Sequence, residues 1–453
     1  MRSPSFLQLL VKEFRELLAS RAFWLLLLFV GFLVGHSFIT AVGLYAEMSG
    51  SANGGGPAAL PQGLTSLDGV LVPTWGAYDL AATLLFPFVA IRMVSSEKES
   101  GALKLLLQLP GTLGSKLAAK GLVLLFAWLV SWLPGIVAIV LWRSYGGHLY
   151  AAETWNLLLG HLLRGLLSGG LGVAAAAVAD GAASAAIVTL AFTVGTWALD
   201  FVAAGRGGFV QQLASYTPTA ALRSFEQGLL RFSVVVVIAL VSCAAFVLAG
   251  IWLNIGRTIK FRLAATLVLV VVTACAVLFG ANLRASRDLS ENRRNSFSTV
   301  DEAALRSIEA SLRSIEASLR SINEPLKITI FLSPEDPRLT DFEQNVLQKL
   351  RRSLDKLEVE YAATTRTGLF DSEEHYGEIW YELGGRKIVE RSTIEEVVLD
   401  QIYALSGVTS PDRSGEESFP GYPLAAQPKH AAAIFYLFWP LLVIIMWWLS
   451  RRL

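Results

Sequence analysis

The chain has 453 residues, a length that ordinarily divides into two or three soluble domains. Composition excludes that: only 17% of residues are charged, 53% are hydrophobic and the mean hydropathy is +0.51, which together mark a membrane protein. The net charge of +1 leaves no basic face to neutralise phosphates, which excludes a nucleic-acid partner, and 45 of the charged residues crowd between Ala281 and His430.

A bilayer core of roughly 30 Å takes about 20 helical residues. Eight apolar segments reach that length, near residues 22–45, 77–95, 121–142, 156–179, 182–203, 232–254, 263–281 and 431–450. Only Asp180 and Gly181 separate the fourth from the fifth, which demands a tight hairpin. Lys12, Arg15 and Arg21 precede the first span, and Arg92, Lys98, Lys104, Lys116 and Lys120 fill the connection after the second. Arg257, Lys260 and Arg262 lie between the sixth and seventh, and Arg451 and Arg452 follow the eighth. With eight spans these clusters share one side, so the positive-inside rule puts both termini in the cytoplasm and residues 282–430 outside. Trp24, Trp75, Trp142, Trp155, Trp439, Trp447 and Trp448 near the span ends read as interfacial anchors. Cys243 and Cys275, both inside apolar runs, read as small buried hydrophobes.

Residues 1–20 carry an interfacial amphipathic helix: Phe6, Leu9, Leu10, Phe14, Leu17 and Leu18 share a face, and Lys12, Glu13, Arg15 and Glu16 occupy the remaining surface. A cytoplasmic extension of the first span is the alternative. The connection after the second span, residues 97–122, places Glu97 and Glu99 ahead of a short helix with Leu105, Leu106, Leu107 and Leu109, closed by Pro110 and Gly111. Alone, this is either a surface-bound helix or a docking element for a partner.

The pattern Glu97, Ser100, Gly101, Leu103, Leu105, Leu106, Leu107, Pro110 and then Lys120 resembles the coupling segment of type 2 ABC exporter permeases, with Ala102, Lys104 and Ala119 departing from the family residues. The resemblance implies a six-span permease domain over residues 21–256, with Glu97, Glu99, Ser100, Gly101, Leu105, Leu106 and Pro110 as its coupling surface for a separate ATPase subunit. Pro218, Phe225 and Gly228, ahead of the sixth span, resemble the external segment of the gliding-motility subgroup, and residues 219–230 read as a short external helix.

The fourth span carries His161 and Arg164 as pathway or interfacial candidates. An ionised side chain in the bilayer is costly unless it snorkels or faces the bundle interior. Snorkelling to the external end is the expectation for Arg164; contact with an anionic substrate or a cavity-lining role is the alternative.

After a seventh span within 257–281, residues 282–325 form a polar linker in which LRSIEAS occurs twice in succession and LRSIN continues. Leu305, Ile308, Leu312, Ile315, Leu319 and Ile322 keep the 3,4 spacing of a coiled-coil seam. It pairs across a dimer, packs on its own domain, or acts as a spacer. Residues 326–430 then read as a small external α/β domain: a strand at 326–333, a helix at 339–354 with a Thr340–Glu343 capping box, a strand at 357–362, a hairpin around Gly384–Gly385, and a helix from 394 capped by Ser392 or Thr393. Residues 431–453 supply the last span and a cytoplasmic tail. This half is similar to the auxiliary component of gliding-motility ABC transporters, in a shortened form.

The resulting fold class is a polytopic α-helical membrane protein: a six-span ABC permease plus two further spans flanking a small external α/β domain. No phosphate-binding loop, metal-binding histidine pattern or hydrolase motif occurs, so no intrinsic catalytic site, bound cofactor or metal is expected, and ATP and Mg2+ belong to the partner subunit. The expected role is the transmembrane subunit of an ATP-driven exporter in a bacterial inner membrane, paired with a second copy of itself and moving an unidentified substrate. The alternative is an ATPase-coupled scaffold for motility, secretion or envelope remodelling.

Overall fold

The computed structural model describes residues 6–54, 64–108, 112–203, 210, 214, 216–254, 256–283, 285–318, 325–333, 336–354, 356–362, 375–413 and 419–452. Eight helices in it are long and apolar enough to cross a membrane: Arg21–Ser49, Leu67–Glu99, Leu113–Ser144, Ala151–Val178, Ala182–Ala203, Phe232–Leu253, Ile259–Ala281 and Ala431–Ser450. All eight expected segments are present. The second span opens ten residues ahead of its expected start, with a π-turn at Leu67–Leu71 leading into Val72–Glu99. Polar Asp68, Thr74 and Asp79 lower its hydropathy, yet all three are hydrogen-bonded inside the fold, so they carry little of the cost the hydropathy assigns. The helix of the third span is interrupted at Trp132, one residue before a new helix whose Pro134 lacks the N–H that would continue the old one.

Several tryptophans are not anchors. Trp75 and Trp142 are fully buried, and Trp75 fills the space a side chain at Gly135 would take, 2.8 Å from a Cβ there. Trp155 and Trp448 do face outward. Cys243 and Cys275 are exposed on the outer faces of the sixth and seventh spans, because one turn of a lipid-facing helix is as apolar as one turn of a buried helix.

The eighth span returns to the first. A side chain at Gly31 would meet Trp439 Nε1 at 2.0 Å, and one at Gly35 would meet Phe435 Cβ at 2.3 Å. Gly31 and Gly35 form the small-xxx-small notch that lets two helices approach closely in lipid. The Trp439 indole also donates to Leu27 O at 2.9 Å.

Two sheets lie beyond one end of the bundle. A two-strand ribbon pairs β1 (Leu229–Arg231), just ahead of the sixth span, antiparallel with β2 (Ser286–Asp288), just after the seventh. The expected short helix is Pro218–Glu226, and the residues after it form β1 instead of a longer helix, because Gly228 at φ 76° turns the chain. The second sheet has the order β4-β3-β5-β6, from β3 (Leu326–Ile330), β4 (Leu357–Tyr361), β5 (Ile379–Leu383) and β6 (Arg386–Glu390). β3 and β4 are parallel across an intervening helix, and β5 and β6 form the hairpin, with Gly384 and Gly385 at φ 57° and 74°.

Helix boundaries in this region differ from the capping signals. The first helix begins at Pro337, capped by Asp336, whose side chain accepts from Arg338 N at 2.9 Å. Thr340 lies inside it. The last helix, Glu395–Ser406, has Ile394 at its cap position, and Ser392 Oγ accepts from Ile394 N at 3.2 Å.

The helix Thr299–Ser318 begins six residues ahead of the repeat and carries its first two copies. Leu305 and Ile308 enter the core of the α/β region beside Ile328, Val346, Leu350 and Tyr403, so this part of the seam packs on its own domain. The side chains of Leu312 and Ile315, and residues Leu319 and Ile322, lie outside the described residues. Asp301 locks the helix in place: it is 3% exposed, accepts from Tyr403 OH at 2.8 Å and pairs with Arg413 at 2.9 Å.

The Gly31–Gly35 notch predicts that Gly35→Leu releases the last span. The expected outcome is a lower thermal midpoint in nanodiscs as Phe435 loses its seat, while Gly43→Leu, with open space at its Cβ, leaves it unchanged.

Candidate functional site

The N-terminal helix Phe6–Ala19 packs Leu9, Glu13 and Leu17 inward. These are i, i+4 and i+8 on one stripe, so Glu13 shares the apolar face instead of the solvent-facing surface expected for it. What tolerates a carboxylate there is Lys120, in the first turns of the third span. Glu13 and Lys120 are each 2% exposed, and Lys120 Nζ donates to Glu13 Oε2 at 2.8 Å and to Met93 O at 3.0 Å. Glu97, 3% exposed at the end of the second span, lies 3.0 Å from the same ammonium through Oε2, at an angle too oblique for a directed hydrogen bond. Lys12 closes the network, hydrogen-bonding Glu97 and lying 3.1 Å from Glu13 and 3.0 Å from Glu16. Burial works against its charge, but Glu97, Glu13 and Glu16 more than offset it and hold the ammonium above its usual pKa. Carboxylate oxygens of Glu13, Glu16 and Glu97 lie within 4.8 Å of one another, and the two ammonium groups supply the positive charge that such a gathering needs.

Around this node the segment expected to couple to a partner takes a definite shape. Glu99 reaches across the bundle and accepts from Ala182 N at 3.1 Å, capping the fifth span where the helix dipole favours an anion. Ser100 ends the second span and donates to Ser96 O at 2.7 Å. Gly101, at φ 75°, makes the turn that frees the helix Ala102–Gln108. Lys116 Nζ holds that helix by donating to Leu106 O at 2.7 Å. Leu105 is 68% exposed at its surface, Leu106 is half-buried, and Pro110 lies outside the described residues. A notch of about 260 Å³, lined among others by Glu16, Arg92, Glu97 and Ser100, opens beside the network. The structure therefore brings Glu97, Glu99, Ser100, Gly101, Leu105 and Leu106 to one end of the bundle. The sequence reading missed Glu13 and Lys120 as a pair, although Glu13 between Leu9 and Leu17 was a readable signal.

His161 and Arg164 lie elsewhere, in the fourth span. Arg164 does not snorkel. It is 5% exposed, and Nε donates to Asp79 Oδ1 and Thr83 Oγ1, each at 3.2 Å, because a paired guanidinium inside the bundle avoids the exposure that snorkelling relieves. A crevice of about 20 Å³, room for a single water, adjoins it between the second, fourth and fifth spans. His161 is fully buried with its ring 5.0 Å from that of Trp75 and 5.6 Å from that of Tyr78. Near the same end, Glu226 closes the helix Pro218–Glu226. Burial, reinforced by the charge of Asp79, pushes its carboxyl up to about 7, and Arg223 and Arg164 offset part of the rise.

At the opposite end from the network, the α/β region is fastened to the bundle. Arg294 grips Asp68 with two bonds of 2.9 and 2.6 Å, and Glu291 N donates to Glu153 Oε1 at 2.5 Å. Tyr422 OH donates to Glu291 Oε1 at 2.7 Å while its ring stacks on His148 at 3.7 Å.

Buried charge thus joins the N-terminal helix, the end of the second span and the start of the third at one end of a polytopic helical bundle. Residues 7–253 match the family model described as ABC-2 family transporter protein, and the chain belongs to that family. Those residues are its membrane-embedded permease domain, and membership implies a separate ATPase subunit as partner. No curated protein and no solved structure matches the chain.

Two outcomes follow from this geometry. Lys120→Met leaves two buried carboxylates facing each other and should cost about 3–5 kcal/mol, read as a clear fall in thermal midpoint in nanodiscs; Lys104→Met, at an exposed position, should not. Glu226 binds more protons folded than unfolded between its ordinary 4.5 and about 7, so stability falls as pH rises through that window. Glu226→Gln should raise the thermal midpoint relative to the native chain at about pH 8 and match it near pH 4.5.

Proposed function

We propose that this protein is the transmembrane subunit of an ATP-driven exporter, two copies of which enclose the pathway, with one ATPase docking on the end of each bundle that carries Ala102–Gln108. The observation that carries the reading is the buried network of Lys12, Glu13, Glu97 and Lys120, since it joins the N-terminal helix, the second span and the third into one body. A load on the short helix at Ala102–Gln108 then passes to the second span through Gly101, to the third through Lys116 and to the fifth through Glu99. Supporting the orientation, the basic clusters gather at the end where Ser450 Oγ meets Leu18 O at 3.3 Å, so the termini are cytoplasmic by the positive-inside rule and the α/β region is outside.

A second reading, a mechanical scaffold of the gliding-motility kind with the α/β region as its auxiliary domain, draws on the Asp68–Arg294 and Glu153–Glu291 contacts. They fasten the linker that leads into that region to the second and fourth spans, so motion in the bundle reaches it.

Co-expression with a candidate ABC ATPase subunit from the same genome tests the first reading. The native pair copurifies in nanodiscs with ATPase activity above that of the ATPase alone, and deletion of residues 101–110 abolishes the increase while insertion and oligomeric state stay unchanged. An intact chain that neither binds nor alters the ATPase overturns the docking assignment. Vesicles that accumulate no exported solute while Arg294→Ala removes an envelope phenotype favour the scaffold.

A further inference from the structure

A polar cleft of about 600 Å³ lies between the β1–β2 ribbon and the α/β region. Its walls are the β1–β2 ribbon, the loop Ser290–Ser296, the helix Thr299–Ser318 and the end of the helix Gln348–Ser353. The ribbon that lines it sits where the sixth span begins, close after the seventh ends.

The charges of this cleft do not balance internally. Asp288 is saturated: Oδ1 accepts from Ser290 N at 2.9 Å and Ser290 Oγ at 2.6 Å, and Oδ2 from Asn295 N at 3.1 Å and Ser296 Oγ at 2.8 Å. Glu302 faces Arg306 at 3.4 Å, Lys349 is committed to Glu395 at 2.7 Å, and Glu309 is the third carboxylate of the lining, against five cationic side chains in all. Three guanidinium groups remain: Arg287 on β2, Arg293 in the loop and Arg352 at the helix end. Among the described residues none of the three has a carboxylate within ion-pair distance. Arg352 hydrogen-bonds only the main-chain oxygen of Asn295 among the described residues. Burial depresses its pKa, with Arg231 adding repulsion and Asp288 and Glu302 offsetting part of it.

Arg293 adds a separate observation. Of the described non-glycine residues it alone has a positive φ, 52°, a conformation that costs on the order of 1 kcal/mol and persists only when its surroundings impose it. Its N–H donates to Ser290 O at 3.3 Å and its carbonyl accepts from Ser296 N at 3.0 Å, which pins the loop that lines the cleft. Three guanidinium forks around a serine-lined space form the donor set that suits an anion with several oxygens.

We propose that this cleft binds a phosphate-bearing anion at the membrane surface, with Arg287, Arg293 and Arg352 as its charged ligands. The anion is either a lipid head group entering from the bilayer or a soluble phosphate compound entering from the aqueous side. The site does not depend on the direction of transport or on the ATPase docking described above.

The test uses the full chain in nanodiscs. In phosphatidylcholine discs at about 0.15 M salt, where long-range attraction is screened, pyrophosphate is titrated calorimetrically. In mixed discs of phosphatidylcholine and phosphatidylglycerol, retention of the anionic lipid after mild extraction is read by native mass spectrometry. Arg287→Gln, on an exposed strand, should weaken the response about tenfold, the size of one charge-assisted hydrogen bond. Adding Arg352→Gln should deepen the loss, Arg352→Lys should restore much of it, and Arg386→Gln on the far hairpin should change nothing. Saturable pyrophosphate binding without lipid preference identifies a soluble phosphate; lipid preference without pyrophosphate binding identifies a head group. Failure in both arms, or Arg287→Gln binding as tightly as the native chain, overturns the proposal.

Discussion

Removing a charge from water into the low-dielectric interior of a membrane bundle costs several kcal/mol unless a partner of opposite sign arrives with it. In this protein that constraint decides where helices meet. Glu13, Glu97 and Lys120 come from three different helices and are each no more than 3% exposed, so none of the three helices can separate without stranding a charge. Apolar packing between lipid-facing helices supplies no comparable selectivity, because lipid tails are as apolar as leucine. Position along the bundle is consequently set by the ion pairs, and shape complementarity, such as Trp439 over Gly31, fills in around them.

The second span is the member fixed most often. Arg294 holds it at Asp68, Arg164 at Asp79 and Lys120 at Glu97. Asp79 and Glu97 are separated by five full turns at 3.6 residues each, so they occupy one stripe of the helix about 27 Å apart. A single rod thus touches the α/β region at one end, the buried arginine near its middle and the N-terminal helix at the other. Pro87 lies between the two lower fixtures, where the missing N–H makes bending easiest.

This also explains which parts of the molecule were legible from sequence. The solvent fixes span length, so eight apolar segments could be counted without knowing any contact, and the 2-residue period with Gly384–Gly385 was enough for the β5–β6 hairpin. Pairing is different, because it depends on residues far apart in the chain. Glu13 and Lys120 are 107 positions apart, and Arg164 and Asp79 are 85 apart; each looks like a misplaced charge until its partner is known. The same blindness affected Trp75, which is apolar and aromatic near a span end but is buried because Gly135 leaves room for it. The seam of Leu305 and Ile308 was a true apolar stripe, and only the fold of residues 326–405 shows what covers that part of it.

The packing around Arg164 bears on how the spans can move. Beside Arg164 the described residues leave about 20 Å³, enough for one water and far too little for a solute. At that point nothing larger than water passes unless the second, fourth and fifth spans move relative to one another. The crevice is bounded by the second, fourth and fifth spans; Glu97 ties the second span to the charge network, and Glu99, two residues on, caps the fifth. Displacing the turn at Ser100 and Gly101 would pull on both spans at once, from residues only two apart. Because Thr83 accepts from Arg164 and donates to Asp79 at 3.1 Å, separation of the spans exposes a guanidinium and a carboxylate together to the widening crevice. Water that enters hydrates both charges and lowers the cost of the open state, so the pair that closes the bundle also makes its opening affordable.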